Sequence, residues 1–155
     1  MRRFFGWAFF LSFLLVFYSC SKPKTDEEVL KAVIMDAVSS ARRLDIKGVM
    51  KHISRDYNDD MGNDYNSVKG ILFYEFMRSE KLSVFVRDVK VKVEGERALV
   101  DSRVLVVRGK EIKEIKDVIP EDAAGFVFSI IFIKEGKEWK ARSVAWSNAG
   151  VLSLI

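Results

Sequence analysis

The chain has 155 residues, 26 basic and 22 acidic side chains, a net charge of +4, and 49% hydrophobic residues. That length holds one domain and a targeting segment, and a charge this near balance, with no block of one sign, leaves no electrostatic footprint for nucleic acid. One cysteine and one histidine, Cys20 and His52, exclude a zinc site of Cys and His type built by a single chain, and no metal or cofactor is expected.

Arg2 and Arg3 precede an apolar run from Phe4 to Tyr18, followed by Ser19 and Cys20. A basic start, an apolar middle and a small residue at the cut compose a secretory signal. At 1.5 Å per residue the run reaches roughly 23 Å, short of the ~30 Å hydrocarbon core of a bilayer, and Ser21-Lys22-Pro23-Lys24 does not extend it. Phe17-Tyr18-Ser19-Cys20 resembles the lipobox of bacterial lipoproteins, with Phe17 where leucine is usual and Tyr18 where a small residue is usual. The resemblance implies that residues 1–19 are a signal peptide, that Cys20 is acylated, and that residues 20–24 are a short tether to a membrane. Ser21 after the cysteine implies the periplasmic face of the outer membrane if the source is diderm.

Residues 25–155 form the domain. Thr25-Asp26-Glu27-Glu28 has the form of a capping box. Val29, Leu30, Val33, Ile34, Ala37, Val38, Ala41 and Leu44 then recur at helical spacing. Asp45 caps a short second helix through Ile46, Val49, Met50 and Ile53. The stretch Ser54 to Asp64 is polar, and its Asp56-x-Asn58-x-Asp60 spacing departs from a calcium loop in its glycine position and in Ser67 at the twelfth place, so it reads as an acidic turn. A third helix follows from Tyr65 to Ser79, with Val68, Ile71, Leu72, Phe73, Phe76 and Met77 as a wide apolar face.

From Leu82 the period is two. Val89, Val91 and Val93 alternate with charged residues, while Val84 and Val86 are in the opposite phase, which predicts a bulge near Arg87-Asp88. Gly95-Glu96 marks a hairpin turn, and Ala98, Val100, Val104 and Val106 follow on one face. Gly109 to Ala124 is a charged connection with room for a helical turn, and the last hairpin pairs Gly125–Glu135 with Glu138–Ser147. Helices followed by strands predict an α+β domain.

This order of elements resembles the nuclear transport factor 2-like (SnoaL-like, cystatin-like cone) superfamily. The segments that carry the resemblance are Leu44-Asp45-Ile46-Lys47-Gly48-Val49-Met50 with Ile53-Ser54, Asp56-Tyr57 leading into a loop, and Glu138-Trp139-Lys140 opening the closing strand. It implies three N-terminal helices packed in a curved antiparallel sheet of about four strands, with a conical pocket between them. By the same resemblance Tyr57, Tyr74, Phe76, Phe128 and Trp146 line the cone, where apolar walls suit a small apolar ligand.

Enzymes of this superfamily carry an acid–base pair inside the cone, and only Asp56 and Asp101 could serve as carboxylates here. His52 lies off the Val49-Ile53 face and is expected to be solvated, and Asp101 with Arg103 is expected on the outer surface. Phe126 to Ile133 is apolar on both faces, so Val127, Ile131 and Ile133 are a candidate homodimer interface on the convex side, unless residues 109–124 cover it. The functional expectation is a non-catalytic, lipid-anchored binding or accessory module of the cell envelope. The alternatives are a SnoaL-like enzyme moving a proton on a small carbonyl substrate, and a structural part of an envelope assembly.

Overall fold

The computed structural model describes residues 24–154. The signal peptide, Cys20 and most of the tether lie outside the described residues.

Thr25 starts helix α1 (Asp26–Arg42) as a capping box: its hydroxyl accepts from the Glu28 N–H at 3.2 Å, and the Glu28 carboxylate accepts from the Thr25 N–H at 2.8 Å. Three acids in the first turn and Arg42 in the last suit the helix dipole. Leu44, at φ 56°, turns the chain through the left-handed region. Asp45 then caps α2 (Ile46–Met50) by accepting from the Gly48 N–H at 3.0 Å. The second helix stops at Met50 and does not reach Ile53, because residues 52–54 are taken into pairing with the sheet.

Gly48 lets α2 cross α1. It is buried, and a Cβ on it would run into the Ser40 hydroxyl and come within 2.5 Å of Asp45 Oδ2. Both neighbours are held, Ser40 by burial and Asp45 by its capping bond. Gly48→Ala is therefore expected to cost about 1–3 kcal/mol, the usual range for overpacking, as a lower urea midpoint at unchanged slope.

Helix α3 (Tyr65–Met77) is capped by Asp64, which accepts from the Ser67 N–H at 2.7 Å. Four antiparallel strands follow in the order β1-β2-β3-β4: β1 (Leu82–Glu94), β2 (Arg97–Arg108), β3 (Ala123–Glu135) and β4 (Glu138–Ala149). The predicted bulge is present: pairing steps from Arg87↔Arg103 to Lys90↔Asp101, and Asp88 takes φ 52°. It returns Val89 and Val91 to the face that Val84 and Val86 occupy, so one apolar face runs the length of the strand.

The sheet buries both faces, at opposite ends. Near the hairpin turns Leu30 and Ile34 of α1 pack on Ala98, Val100, Phe132, Trp139 and Ala141, which defines the concave side. Toward the other end the convex side is covered instead. There Leu105 and Val107 pack with Val118 and Leu154, from the 109–122 connection and the C-terminal turn. The connection holds two 3₁₀ turns, Ile115–Asp117 and Pro120–Asp122, and is pinned by Ser83, whose hydroxyl donates to Lys110 O at 3.0 Å and accepts from the Ile112 N–H at 2.7 Å.

Candidate functional site

Strand register decides which side chains enter the cone. Ala98 and Val100 meet α1, so their even-numbered successors on β2, Ser102, Val104 and Val106, share the concave side. Their partners on β3 are Phe128, Phe126 and Ala124, and Phe128 in turn pairs with Trp146 on β4. The open half of the concave face is thus an aromatic wall. The Phe126 ring lies 6.0 Å from Phe128 and 5.8 Å, edge-on, from Trp146. Trp146 is 49% exposed, so the wall meets solvent. Phe126 is missing from the pocket residues that the resemblance implied, although strand alternation puts it on the same face as Phe128.

Of the other expected pocket residues, Phe76 is buried on the inward stripe of α3. The C-terminal part of α3 is tied to the open end of the sheet by Arg108, which donates to Glu75 at 3.0 Å. Tyr74 is not in the cone. It is 59% exposed on the opposite side of α3, with its hydroxyl accepting from Arg78. The helix period puts Tyr74 two residues out of phase with Phe76, and the inward stripe runs through Val68, Leu72 and Phe76.

Tyr57 is buried, and how it is held fixes what it can do. Residues 52–58 zip along the edge of β4: Ala141 N–H donates to His52 O at 2.8 Å, Ser54 N–H to Ala141 O at 2.9 Å, and Asn58 N–H to Arg142 O at 3.1 Å. This brings the Tyr57 hydroxyl beside the Val144 backbone and Asp59. The phenol donates to Asp59 Oδ2 at 3.0 Å. Asp59 also accepts from the Met61 N–H at 3.0 Å, the Asn63 N–H at 2.9 Å and the Asn63 amide. Burial, then the hydrogen bond and charge of Asp59, push the phenol pKa well up. Burial acts to raise the Asp59 pKa, but its donors from Asn63, Tyr57 and Met61 outweigh this and hold the carboxyl below its ordinary value. The result is an ionised carboxylate whose acceptor sites are filled and a phenol whose proton is already committed.

The carboxylates considered for catalysis lie elsewhere. The Asp56 side chain is 81% exposed, with Arg142 at 3.5 Å. Asp101 is on the convex side, where it accepts from Ser129 and lines a shallow cleft of about 340 Å³ with Asp88, Lys90, Arg103 and Val127. His52 is not solvated as its sequence position suggested. Its ring is largely covered, with Nε2 2.7 Å from Asp36 Oδ2 at the seam of α1 and α2. Lys51, at 2.6 Å, and then His52 hold the Asp36 pKa down to about 2.

Val127, Ile131 and Ile133 stand on the convex side, Val127 exposed and the two isoleucines half-buried. The 109–122 connection covers Leu105 and Val107 at the far end of that side. Among the described residues there is no cluster of three potential metal ligands, and no helix is long and apolar enough to cross a membrane.

No protein-family model matches the sequence, and no curated protein matches it. Solved structures share the fold. A candidate dehydratase of the nuclear transport factor 2-like family from Streptomyces avermitilis is 18% identical with a TM-score of 0.66, over 82% of this chain and 99% of that one. A Nostoc punctiforme protein of unknown function with a cystatin-like fold is 9% identical with a TM-score of 0.64, over 86% of this chain and 100% of that one. A Bdellovibrio bacteriovorus protein is 13% identical with a TM-score of 0.65 over 77% of this chain, which spans 40% of that protein's length. Likeness at such identities establishes the fold and no activity. The chain has the α+β nuclear transport factor 2-like fold, with three helices against a four-stranded antiparallel sheet.

Proposed function

We propose that this domain is a lipid-anchored, non-catalytic binding module of the cell envelope, held by an acylated Cys20, whose cone takes a small apolar ligand. The observation that supports a bound ligand is the aromatic wall of Phe126, Phe128 and Trp146, open to solvent at Trp146. Apolar walls with one indole N–H at the rim suit a ligand recognised by burial more than by charge.

The test is a native mass spectrum of residues 21–155, followed by a denaturing one. A mass excess that disappears on denaturation, and that Trp146→Ala with Phe126→Ala reduces, is the expected result. A clean monomer mass after exposure to a mixed lipid extract removes the ligand. A dimer mass without excess moves the function to the convex side. Ile131→Lys, expected to abolish such a dimer, then tests Val127, Ile131 and Ile133 as a contact between copies or within an envelope assembly.

The fold neighbour named as a candidate dehydratase favours a second reading, a SnoaL-like enzyme acting on a small carbonyl substrate. In that reading Tyr57 and Asp59 are the groups to carry the proton, since Asp56 and Asp101 lie off the concave side. It requires substrate to displace the bond between them.

A further inference from the structure

Helix α3 has two unlike sides. Val68, Leu72, Phe76 and Ser79 turn toward the domain, with Phe76 and Ser79 buried. The other side presents Phe73, Tyr74 and Met77, exposed at 57%, 59% and 72%. Beside them is Gly70, where an added Cβ would meet nothing within 4 Å. Each large apolar side chain left in water forgoes roughly 1.5–3 kcal/mol of burial, and a contiguous patch of them marks a contact surface.

Within α3 and its C-cap the basic side chains stand beside the patch, and the acid Glu80 is exposed two residues beyond Arg78. Lys69 and Arg78 flank the patch, and the Arg78 guanidinium lies 5.0 Å from the Tyr74 ring centroid. The one acid within α3, Glu75, points to the other side and is occupied by Arg108. Rings and a thioether bordered by cations are what an interfacial helix presents to a bilayer. The apolar groups enter the boundary of the acyl chains, a tyrosine sits at headgroup level, and long basic side chains reach the phosphates. Anionic headgroups over hydrocarbon supply both complements together.

We infer that α3 is a membrane-contact helix, docking on an anionic lipid surface through Phe73, Tyr74 and Met77 with Lys69 and Arg78 at the phosphates. This goes beyond the anchored reading and draws on it only for proximity, since the four residues that follow Cys20, Ser21 to Lys24, reach at most about 14 Å.

The test uses the full chain with Met77→Cys, and separately Lys92→Cys on the convex side of β1, mixed with vesicles of phosphatidylcholine with or without phosphatidylglycerol. A membrane-impermeant maleimide is added and each site is read by peptide mass. Labelling at position 77 is expected to fall several-fold against position 92 on the phosphatidylglycerol vesicles, and Lys69→Glu with Arg78→Glu is expected to restore it. Equal labelling at both positions on those vesicles overturns the inference. So does shielding at position 77 that follows protein density and not lipid composition, which places a second copy on α3. Cys20 is read in the same peptide map: a labelled Cys20 removes the acyl anchor and leaves the result at position 77 to stand by itself.

Discussion

Replacing Trp139 with alanine is expected to lower stability by about 3–5 kcal/mol, the cost of deleting a large aromatic side chain from a packed core. Trp139 is 2% exposed, between α1 and the sheet with Leu30, Ile34, Ala98 and Val100. Its Nε1 donates to Asp26 Oδ1 at 3.1 Å, and the same carboxylate holds Lys134 at 2.9 Å. One side chain therefore joins the first turn of α1 to the last hairpin. A domain of this size has roughly 5–15 kcal/mol in total, so the alanine variant keeps a fraction of that or does not fold at all. Trp139→Phe separates the two contributions. It keeps most of the packing, loses the bond to Asp26, and is expected to cost about 1–2 kcal/mol. Urea unfolding followed by far-ultraviolet circular dichroism measures both, and an alanine variant within about 1 kcal/mol of the parent would mean that the α1–sheet contact is not the main core.

Asp59→Ala is expected to cost about 3 kcal/mol, the order of a charged hydrogen bond lost together with a buried hydroxyl left without its acceptor. The loss concentrates in residues 57–63, where the Tyr57 hydroxyl, the Met61 and Asn63 N–H groups and the Asn63 amide all rely on this carboxylate. The pH dependence has a definite sign. Asp59 has a folded pKa below its ordinary value, so its contribution is complete above about pH 4, the range of an unfolded aspartate, and is lost as the pH falls through the lowered folded value. Asp59→Asn should therefore be closest to the parent in acid and furthest from it at neutral pH. A variant gap that widens toward acid contradicts the assignment. The same substitution separates the two functional readings: turnover that it abolishes while the fold persists belongs to an enzyme, and ligand retention that it leaves intact belongs to a binding module.

Local signals in the chain were informative where the physics is local. The Thr25 capping box, the Asp45 cap and the bulge at Arg87-Asp88 all depend on residues within a few positions of one another, and all are present. The even-numbered face of β2 could be recognised as apolar for the same reason. Its orientation could not, because alternation alone does not say which face α1 covers. Contact of Leu30 and Ile34 with Ala98 and Val100 settles that, and with it places Asp101 and Arg103 outside the cone.

Little of the candidate site was legible from the residues themselves. Phe128 and Trp146 were expected in the cone from the family resemblance, and it is the strand register that pairs them. Tyr74 was expected in the cone from the same resemblance, and the turn of α3 carries it to the exposed side, away from Phe76. His52 was misplaced because its partner, Asp36, is sixteen residues away on another helix. The importance of Asp59 over Asp56 could not be read at all: both are acids in one polar turn, and only the fold of residues 57–63 buries one and exposes the other.

The sequence by itself determined the order of helices and strands, their caps and the phase of each strand, because these depend on near neighbours and on alternation. The tertiary structure alone decided which side of the sheet is concave, which carboxylate is buried and which aromatic residues meet, because each depends on contacts between elements far apart in the chain.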